Sequence, residues 1–301
     1  MKKTLYPFLL VLLVAACQPP AKPVTVVAAG PPTVVPEPVP AQVVDSVQTV
    51  ELPANFGGPI MTEAGPPVTD IPAFLAANNL AELWQANTGQ DENSDARPTL
   101  LEGFYGAEHR HIVFIFDHVR QDSMQPSLFR VQGRSRFRKT ITPFAGTFTV
   151  SRVKPLRAFL DLDSVAATQA RAYSVTAHFV LREDSTTHNA GTFEGTATTD
   201  VFRLATGSTQ LLQSVNVPDK DLPARGAGQL FRGQWQSQRT GRKNPVAFAI
   251  YSQAVVPDAM ADLFLGDRGE AINPKYARLG WSEGWENTEW WAKSPKPTLH
   301  L

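Results

Sequence analysis

The 301-residue chain contains a single cysteine, Cys17, and this scarcity excludes several classes of protein. One thiol cannot form a disulfide framework within the chain, and it cannot supply the paired cysteines of a structural zinc site. The sequence also lacks a P-loop, a G-x-G-x-x-G segment and an H-E-x-x-H segment. We therefore expect a non-catalytic role, with no cofactor.

An excess of charge is also missing, because 28 Lys and Arg residues are balanced by 28 Asp and Glu residues. Proteins that bind nucleic acids usually carry a pronounced basic surface. The near-neutral composition argues against a nucleic-acid partner.

The N-terminus combines a short positive segment with an apolar one. Lys2 and Lys3 precede an apolar run from Leu5 to Val14, which is too short to span a bilayer at about 20 residues per helix. The run ends in Val14-Ala15-Ala16-Cys17, which resembles the lipobox of bacterial lipoproteins. The resemblance implies a signal peptide over residues 1–16, cleavage before Cys17, and acylation (palmitate) of the Cys17 thiol and its new amino group.

The same resemblance predicts where the protein is located. Two acyl attachments at Cys17 would anchor it stably to a membrane of the cell envelope. Gln18 replaces the aspartate that favours inner-membrane retention in enterobacterial lipoproteins, so we expect the outer membrane, with the folded part in the periplasm or at the surface. An acylated Cys17 leaves no free thiol, which also excludes a cysteine nucleophile.

Proline dominates the next segment. Twelve of the 25 prolines lie between residues 18 and 67, separated mainly by Val, Ala and Thr. Such a composition favours extended polyproline II and cannot bury a core. We predict a disordered tether over 17–67 and a single folded domain over 68–301.

One helix is predicted near the start of this domain. Asp70 and Pro72 are typical of a helix start and Gly89 of a helix stop. Between them, apolar side chains including Leu80 and Trp84 recur on one helical face. We place the helix at 72–87.

From residue 104 the apolar period changes to two, as in β-strands. Tyr173, Val175, Ala177, Phe179 and Leu181 alternate with polar residues. Strands of this kind over about 104–255 predict a mainly β domain, an antiparallel barrel of about eight strands, with a two-sheet β-sandwich as the alternative. An irregular, Trp-rich C-terminal segment follows over 256–301.

A Phe-x-Gly pattern recurs along these strands, at Phe104, Phe144, Phe193 and Phe231. In an extended strand, residues two apart share a face, so each Phe and Gly should point the same way. Glycines between inward aromatic rings are typical of strands that coil into a barrel.

Two resemblances accompany this pattern. The Gly233-Gln234-Trp235 segment is similar to the Gly-x-Trp motif of lipocalins and related calycin barrels, although that family carries it on the first strand and here it falls near the seventh of eight. The likeness implies a barrel and no lipocalin function. The GFYG…HR…FAGT segment resembles uncharacterised envelope lipoproteins, which imply no particular activity.

Tryptophans and glutamates crowd the C-terminal segment. Trp281, Trp285, Trp290 and Trp291 alternate with Glu283, Glu286 and Glu289. Indole faces beside carboxylates suit sugars, so these tryptophans and Trp235 are candidate ligand- or glycan-binding residues, and two of the glutamates could serve a glycan hydrolase. The alternative is a segment whose aromatic rings dock on the barrel.

Four arginines form a candidate anion-binding stripe on one strand: Arg130, Arg134, Arg136 and Arg138. Guanidinium groups bind phosphates and carboxylates in a bidentate manner, which suits lipid headgroups or envelope glycans. The alternative is a solvated face paired with carboxylates of a neighbouring strand.

Histidine provides the only candidate for a metal site. His109 and His111, two apart on a predicted strand, could hold one zinc ion, with His178 or Asp117 as a third ligand. Nothing in the sequence places these residues together, so we predict no metal.

Taken together, these features predict a lipid-anchored cell-envelope protein with a non-catalytic binding or structural role. Its ligand or partner would be an apolar or amphipathic molecule, a lipid, or a protein. The alternative is a protein that binds or cleaves envelope glycans through the 281–291 cluster.

Overall fold

The computed structural model describes residues 60–61, 65–86, 100–160, 170–187, 189–213, 219, 221–266, 271–282 and 290–291. The signal peptide, Cys17 and nearly all of the predicted tether lie outside these residues. All described residues belong to one compact unit, Pro53–Leu301.

The described elements are mainly strands. In chain order they are β1 (Ile60–Met61), α1 (Ile71–Ala77), α2 (Leu80–Trp84), β2 (Leu101–Tyr105), β3 (Arg110–Gln121), β4 (Leu128–Phe137), β5 (Thr140–Leu156), β6 (Phe159–Leu160), β7 (Arg171–Glu183), β8 (Gly191–Arg203), β9 (Thr209–Leu211), β10 (Gln229–Ser237), β11 (Lys243–Ala249), β12 (Phe264–Leu265) and β13 (Ala271–Ile272). Short 3-10 turns occur at Ser252–Val255, Asp258–Met260 and Pro274–Leu279. No helix in the described part of the chain is long and apolar enough to cross a membrane.

Eight of the strands form a closed ring. Strands β2, β3, β4, β5, β7, β8, β10 and β11 are hydrogen-bonded in chain order, each antiparallel to the next, and β11 pairs with β2. The predicted eight-stranded antiparallel barrel is therefore confirmed, and the sandwich alternative is wrong because the closing ladder joins what would be two separate sheets. Gly-x-Trp lies on β10, the seventh strand of the ring, as predicted.

Phenylalanine rings fill the barrel interior. The inward residues include eight phenylalanines that are at most 4% exposed: Phe114, Phe116, Phe144, Phe148, Phe179, Phe193, Phe231 and Phe248. Phe248 stacks on Phe114 at 3.9 Å and on Phe231 at 4.7 Å between ring centroids. Burying each such side chain contributes about 1.5–3 kcal/mol, so these rings contribute strongly to stability.

Glycines allow neighbouring strands to approach each other beside these rings. Gly195 and Gly233 lie opposite each other in the β8–β10 ladder. A Cβ atom on either would lie 2.1 Å from a backbone oxygen of the other strand. The prediction that Phe and Gly both point inward is right at Phe144, Phe193 and Phe231. It is wrong at Phe104, which faces outward, while Gly106 lies in a turn with φ of +72°.

One end of the barrel is closed by α1 and α2. Trp84 packs edge-on against Phe129 and Phe148, with centroid distances of 4.9 and 5.2 Å. Its indole N–H donates to the Thr199 hydroxyl at 2.8 Å. We call this the Trp84 end.

The single helix predicted at 72–87 is in fact two. Asp70 caps α1 by accepting from the Ala73 N–H, as its position suggested. Asn78 then takes an extended conformation and donates its side-chain amide to the Phe74 carbonyl, which ends α1 before α2 begins. Side-chain amides compete with the helix in this way. The predicted stop at Gly89 lies outside the described residues.

The folded domain also begins earlier than the predicted residue 68. Ile60 and Met61, within the predicted tether, pair with Leu160 and Phe159 as a two-stranded ladder.

The C-terminal segment covers one outer wall of the barrel. Residues within 252–266 and 271–281 pack on outward side chains of β2, β10 and β11, including Phe104 and Leu230. Trp281 lies 4.5 Å from Phe104 between ring centroids and donates its N–H to the His109 carbonyl. The described part of the segment contains short 3-10 turns and the β12–β13 hairpin.

Candidate functional site

At the end opposite α2, a carboxylate terminates an apolar row. The inward side chains of β7 run through Val175, Ala177, Phe179 and Leu181, all buried, and the next inward position is Glu183. We call this end of the barrel the Glu183 end.

Three hydrogen-bond donors from three strands hold the Glu183 carboxylate. The Ser135 hydroxyl donates to Oε1 at 3.2 Å. The Gly191 backbone N–H and the Trp235 indole N–H donate to Oε2 at 2.8 and 2.9 Å. The carboxylate is therefore fixed in position and oriented before any ligand arrives.

The electrostatic state of Glu183 reflects its burial. Burial raises the pKa of its carboxyl above the ordinary value, although the hydrogen bonds from Trp235, Gly191 and Ser135 oppose the rise. Among the described residues, no Lys, Arg or His forms an ion pair with it. A buried carboxyl with a perturbed pKa and no cationic partner is a candidate functional group.

A chain of aromatic rings extends from the carboxylate, beginning with Trp235. The Tyr105 ring lies 5.6 Å from Trp235 and 4.8 Å from Phe137, measured between centroids. Asn244 donates to the Tyr105 hydroxyl at 2.9 Å, and desolvation raises the pKa of Tyr105. The site is therefore a carboxylate set in an aromatic rim.

Gly191 makes room for the indole of Trp235. A Cβ atom at this position would lie 2.2 Å from Nε1 and Cε2 of Trp235. Only glycine lets the indole approach the β8 backbone this closely and still reach Glu183. Gly191 is therefore a positioning residue of the site.

Of the candidate tryptophans that the structure describes, Trp235 is the one shown to contact Glu183. Trp235 is 8% exposed and donates to Glu183, as described above. Trp281 is 1% exposed, packed between Phe104 and His111, so it presents no face to a sugar and matches the docking alternative. Trp290 and Trp291 are partly exposed and contact each other at 6.0 Å, whereas Trp285 lies outside the described residues.

Two of the four arginines of the stripe are paired with carboxylates of their own hairpin. Arg134 makes a bidentate pair with Asp117 at 2.6 and 2.9 Å, and Arg130 pairs with Asp122. Arg136 donates to the Arg138 carbonyl. Arg138 itself lies beyond β4, with its guanidinium 5.5 Å from the centre of the Phe137 ring, at the Glu183 end. Arg130 and Arg134 thus match the paired alternative, whereas the bond shown for Arg136 is to a backbone carbonyl and Arg138 lies beside an aromatic ring.

The three histidines do not converge. His109 lies in the turn before β3 with φ of +53°, so it does not share a strand face with His111 as predicted. His111 is buried and bonds the Gly280 carbonyl, and His178 pairs with Glu194 on the outer wall. Within the described ranges, no group of three potential ligands could hold a metal ion.

Sequence reasoning missed both buried carboxyls. Glu183 could have been found by extending the alternating row of β7 by one more inward position. Asp200 lies on the outer side of β8, fully buried, where it accepts from the Ala224 N–H at 2.7 Å. Burial raises its pKa to about 6. No short pattern marks Asp200, because the loop that buries it is distant in sequence.

Sequence reasoning also missed a G-x-S-x-G pentapeptide that begins at Gly280. In hydrolases this pattern forms a sharp turn between a strand and a helix. Here Gly280 follows a 3-10 turn and Ser282 is exposed. The structural context of a nucleophile is absent from the described residues.

Together, the fold and the site define an up-and-down antiparallel barrel with a filled aromatic core and a carboxylate at one end. No protein-family model matches the chain, and neither a curated protein nor a solved structure matches it.

Proposed function

We propose that this chain is a lipid-anchored cell-envelope protein with a non-catalytic binding role, exercised at the Glu183 end of the barrel. The observation that carries the binding role is the partly exposed Glu183 carboxylate, which three hydrogen bonds hold in place. The filled interior decides only that the ligand does not lie inside the barrel. An apolar or amphipathic ligand inside the barrel would have to displace rings that already stack at 3.9 and 4.7 Å.

Unlike the filled interior, the Glu183 end has side chains that a ligand can reach. Glu183 and Tyr105 are partly exposed, and they combine a charge with aromatic surface. Binding sites commonly pair apolar walls with a few fixed polar groups. The hydrogen bonds from Ser135, Gly191 and Trp235 fix the carboxylate in advance, which lowers the entropy lost on binding.

The location rests on the N-terminal sequence. Acylated Cys17, followed by the proline-rich segment, would hold the barrel at the outer membrane yet away from its surface. The test is metabolic labelling with palmitate. The wild-type chain should carry the label and Cys17→Ala should lose it, and an unlabelled wild-type chain would contradict the anchor.

The binding role is tested by native mass spectrometry of the full chain extracted gently from envelopes. We expect a polar adduct or a protein partner that is released on denaturation. An apolar adduct would contradict the filled interior, and a bare monomeric chain would contradict a binding role.

A further inference from the structure

The turns at the Glu183 end are rich in basic residues. Consecutive strands of the ring run in opposite directions, so every second connection lies at the same end. The connections at the Glu183 end join β2 to β3, β4 to β5, β7 to β8 and β10 to β11. The exposed cationic residues in these turns or directly beside them are Arg138, Lys139, Arg182, Arg239, Arg242 and Lys243. We call these six residues the basic surface.

The acidic residues of the same turns do not neutralise the basic surface. The exposed ones are Glu108 and Asp184. Glu108 pairs with Arg110, and the Asp184 carboxylate accepts from the backbone N–H and the hydroxyl of Thr186. Within the described ranges, none of the six cations forms an ion pair. The end therefore presents an excess of positive charge to solvent.

Apolar side chains accompany these cations. Ile141, two residues after Lys139, is 42% exposed. The partly exposed Phe137 ring lies 5.5 Å from the Arg138 guanidinium and 4.8 Å from the Tyr105 ring. A soluble polyanion would gain nothing from an isoleucine, whereas the headgroup layer of a membrane takes up apolar and aromatic side chains together with cations. The combination therefore favours a lipid surface.

The chain enters the barrel at the opposite end. Residues 65–70 line a groove with Pro155 and Arg171, which lie at the Trp84 end of β5 and β7. The C-terminal segment meets the Glu183 end at the β2–β3 turn, where Trp281 donates to the His109 carbonyl. Neither contact buries the six cations, which remain exposed in the described part of the chain.

We propose that the basic surface docks the barrel on an anionic lipid surface, with its cations at the headgroup phosphates and Ile141 at the apolar edge of the headgroup layer. This inference goes beyond the ligand of Glu183 and does not depend on it. Guanidinium and ammonium groups bind phosphates. Each Lys or Arg near an anionic leaflet strengthens binding about five-fold.

The test is co-sedimentation with vesicles of residues 17–301 carrying Cys17→Ala, which lacks the predicted signal peptide and acyl groups and keeps every described residue. The probes are vesicles of phosphatidylglycerol with phosphatidylcholine, and of phosphatidylcholine alone. We expect binding to the anionic vesicles to be about ten-fold tighter or more, and to weaken as salt is added. Equal binding to both kinds of vesicle, or binding to neither, would overturn the proposal.

Paired substitutions locate the contact on the barrel. Arg138→Gln with Lys139→Gln should weaken binding to the anionic vesicles about ten-fold or more, and so should Arg242→Gln with Lys243→Gln. All these side chains are exposed, so chemical unfolding should be unchanged.

The matched control is Arg152→Gln with Lys154→Gln, which removes the same two charges from the exposed outer wall of β5. The control should bind like the wild type. A control that weakens binding as much as the other two pairs would show a response to net charge alone and contradict the docking surface.

An apolar substitution separates a lipid surface from a soluble polyanion. Ile141→Thr should weaken binding to the anionic vesicles several-fold. Met124→Thr, in the β3–β4 turn at the Trp84 end, is the control and should have no effect. Polyphosphate that binds more tightly than the vesicles, together with unchanged vesicle binding in Ile141→Thr, would assign the basic surface to a soluble polyanion and contradict the lipid.

This outcome is independent of the proposed binding role of Glu183. If the vesicles fail while native mass spectrometry still shows a polar adduct or a protein partner, the docking surface is wrong and the binding role stands. If the vesicles bind as expected while the chain is otherwise bare, the docking surface stands and the binding role of Glu183 is wrong.

Discussion

At one end of the barrel the Trp84 indole N–H donates to the Thr199 hydroxyl, and at the other the Trp235 indole N–H donates to the Glu183 carboxylate. The same donor therefore meets a neutral group in one place and an ionisable group in the other. At the Trp84 end a helix completes the core. At the Glu183 end a charge remains partly exposed, which suits recognition better than packing.

The largest effect is expected at the Trp84 end. Trp84→Ala removes a ring that is 2% exposed and should lower the free energy of unfolding by about 3–5 kcal/mol. Chemical unfolding followed by circular dichroism measures this. Met124→Ala, at a side chain that is 90% exposed, is the control and should change little. A loss at Trp84 below about 1 kcal/mol would mean that α2 does not close the barrel.

A pH-dependent effect is expected from Asp200. Its pKa is raised from 3.8 to about 6, so the protonated form is favoured by folding. The stabilisation is complete below the unfolded pKa and is lost as the pH rises through about 6, a change of up to about 3 kcal/mol.

Asp200→Asn isolates this effect. The difference in unfolding free energy between variant and wild type should change between pH 4 and pH 7, in favour of the variant at the higher pH. The exposed Asp258→Asn serves as the control. A difference that is independent of pH would contradict the burial of Asp200. The raised pKa of Glu183 predicts a change of the same sign, which should persist in Asp200→Asn.

A smaller loss is expected from Gly191→Ala at the Glu183 end. The added methyl group would lie 2.2 Å from the Trp235 indole, and overpacking of this kind costs about 1–3 kcal/mol. In Gly65→Ala the nearest atom would be 3.8 Å away, so that variant should unfold like the wild type. Equal stability of the two variants would show that Trp235 moves aside freely.

The smallest effect concerns the outer face of β4, which runs between the two ends. Double-mutant cycles should give the Arg134–Asp117 pair a coupling free energy of about 1 kcal/mol or less, and the Arg130–Asp122 pair even less. The Arg130 pair should couple less because water screens it more: the Arg130 side chain is 69% exposed and the Arg134 side chain 27%. A larger coupling at Arg130 would contradict this ranking.

The sequence predicted the barrel because alternation is a local property. Each ring strand with a clear inward row, such as Tyr173 to Leu181, has its buried side where the pattern indicated. The wrong predictions arose where a shift of one residue decides which face of a strand a side chain occupies. Aligning β2 on Phe104 assigned it the wrong side, since a shift by one position exchanges the two faces of a strand.

The site was predicted only in part because it depends on long-range contacts. Trp235 was singled out from its motif, but its partner Glu183 is 52 residues away. The burial of Trp281 depends on docking against Phe104, which composition cannot reveal. His109 was misplaced because a turn with positive φ interrupts the apparent strand.

The most direct measurement is a pH titration of the indole N–H resonances by nuclear magnetic resonance, in the full chain and in Glu183→Gln. The Trp235 resonance should shift with a midpoint above 4.5, the ordinary carboxyl pKa, and the shift should vanish in Glu183→Gln. The Trp84 resonance should behave identically in both proteins. A Trp235 resonance that does not titrate, or that titrates equally without the carboxylate, would contradict the difference between the two ends.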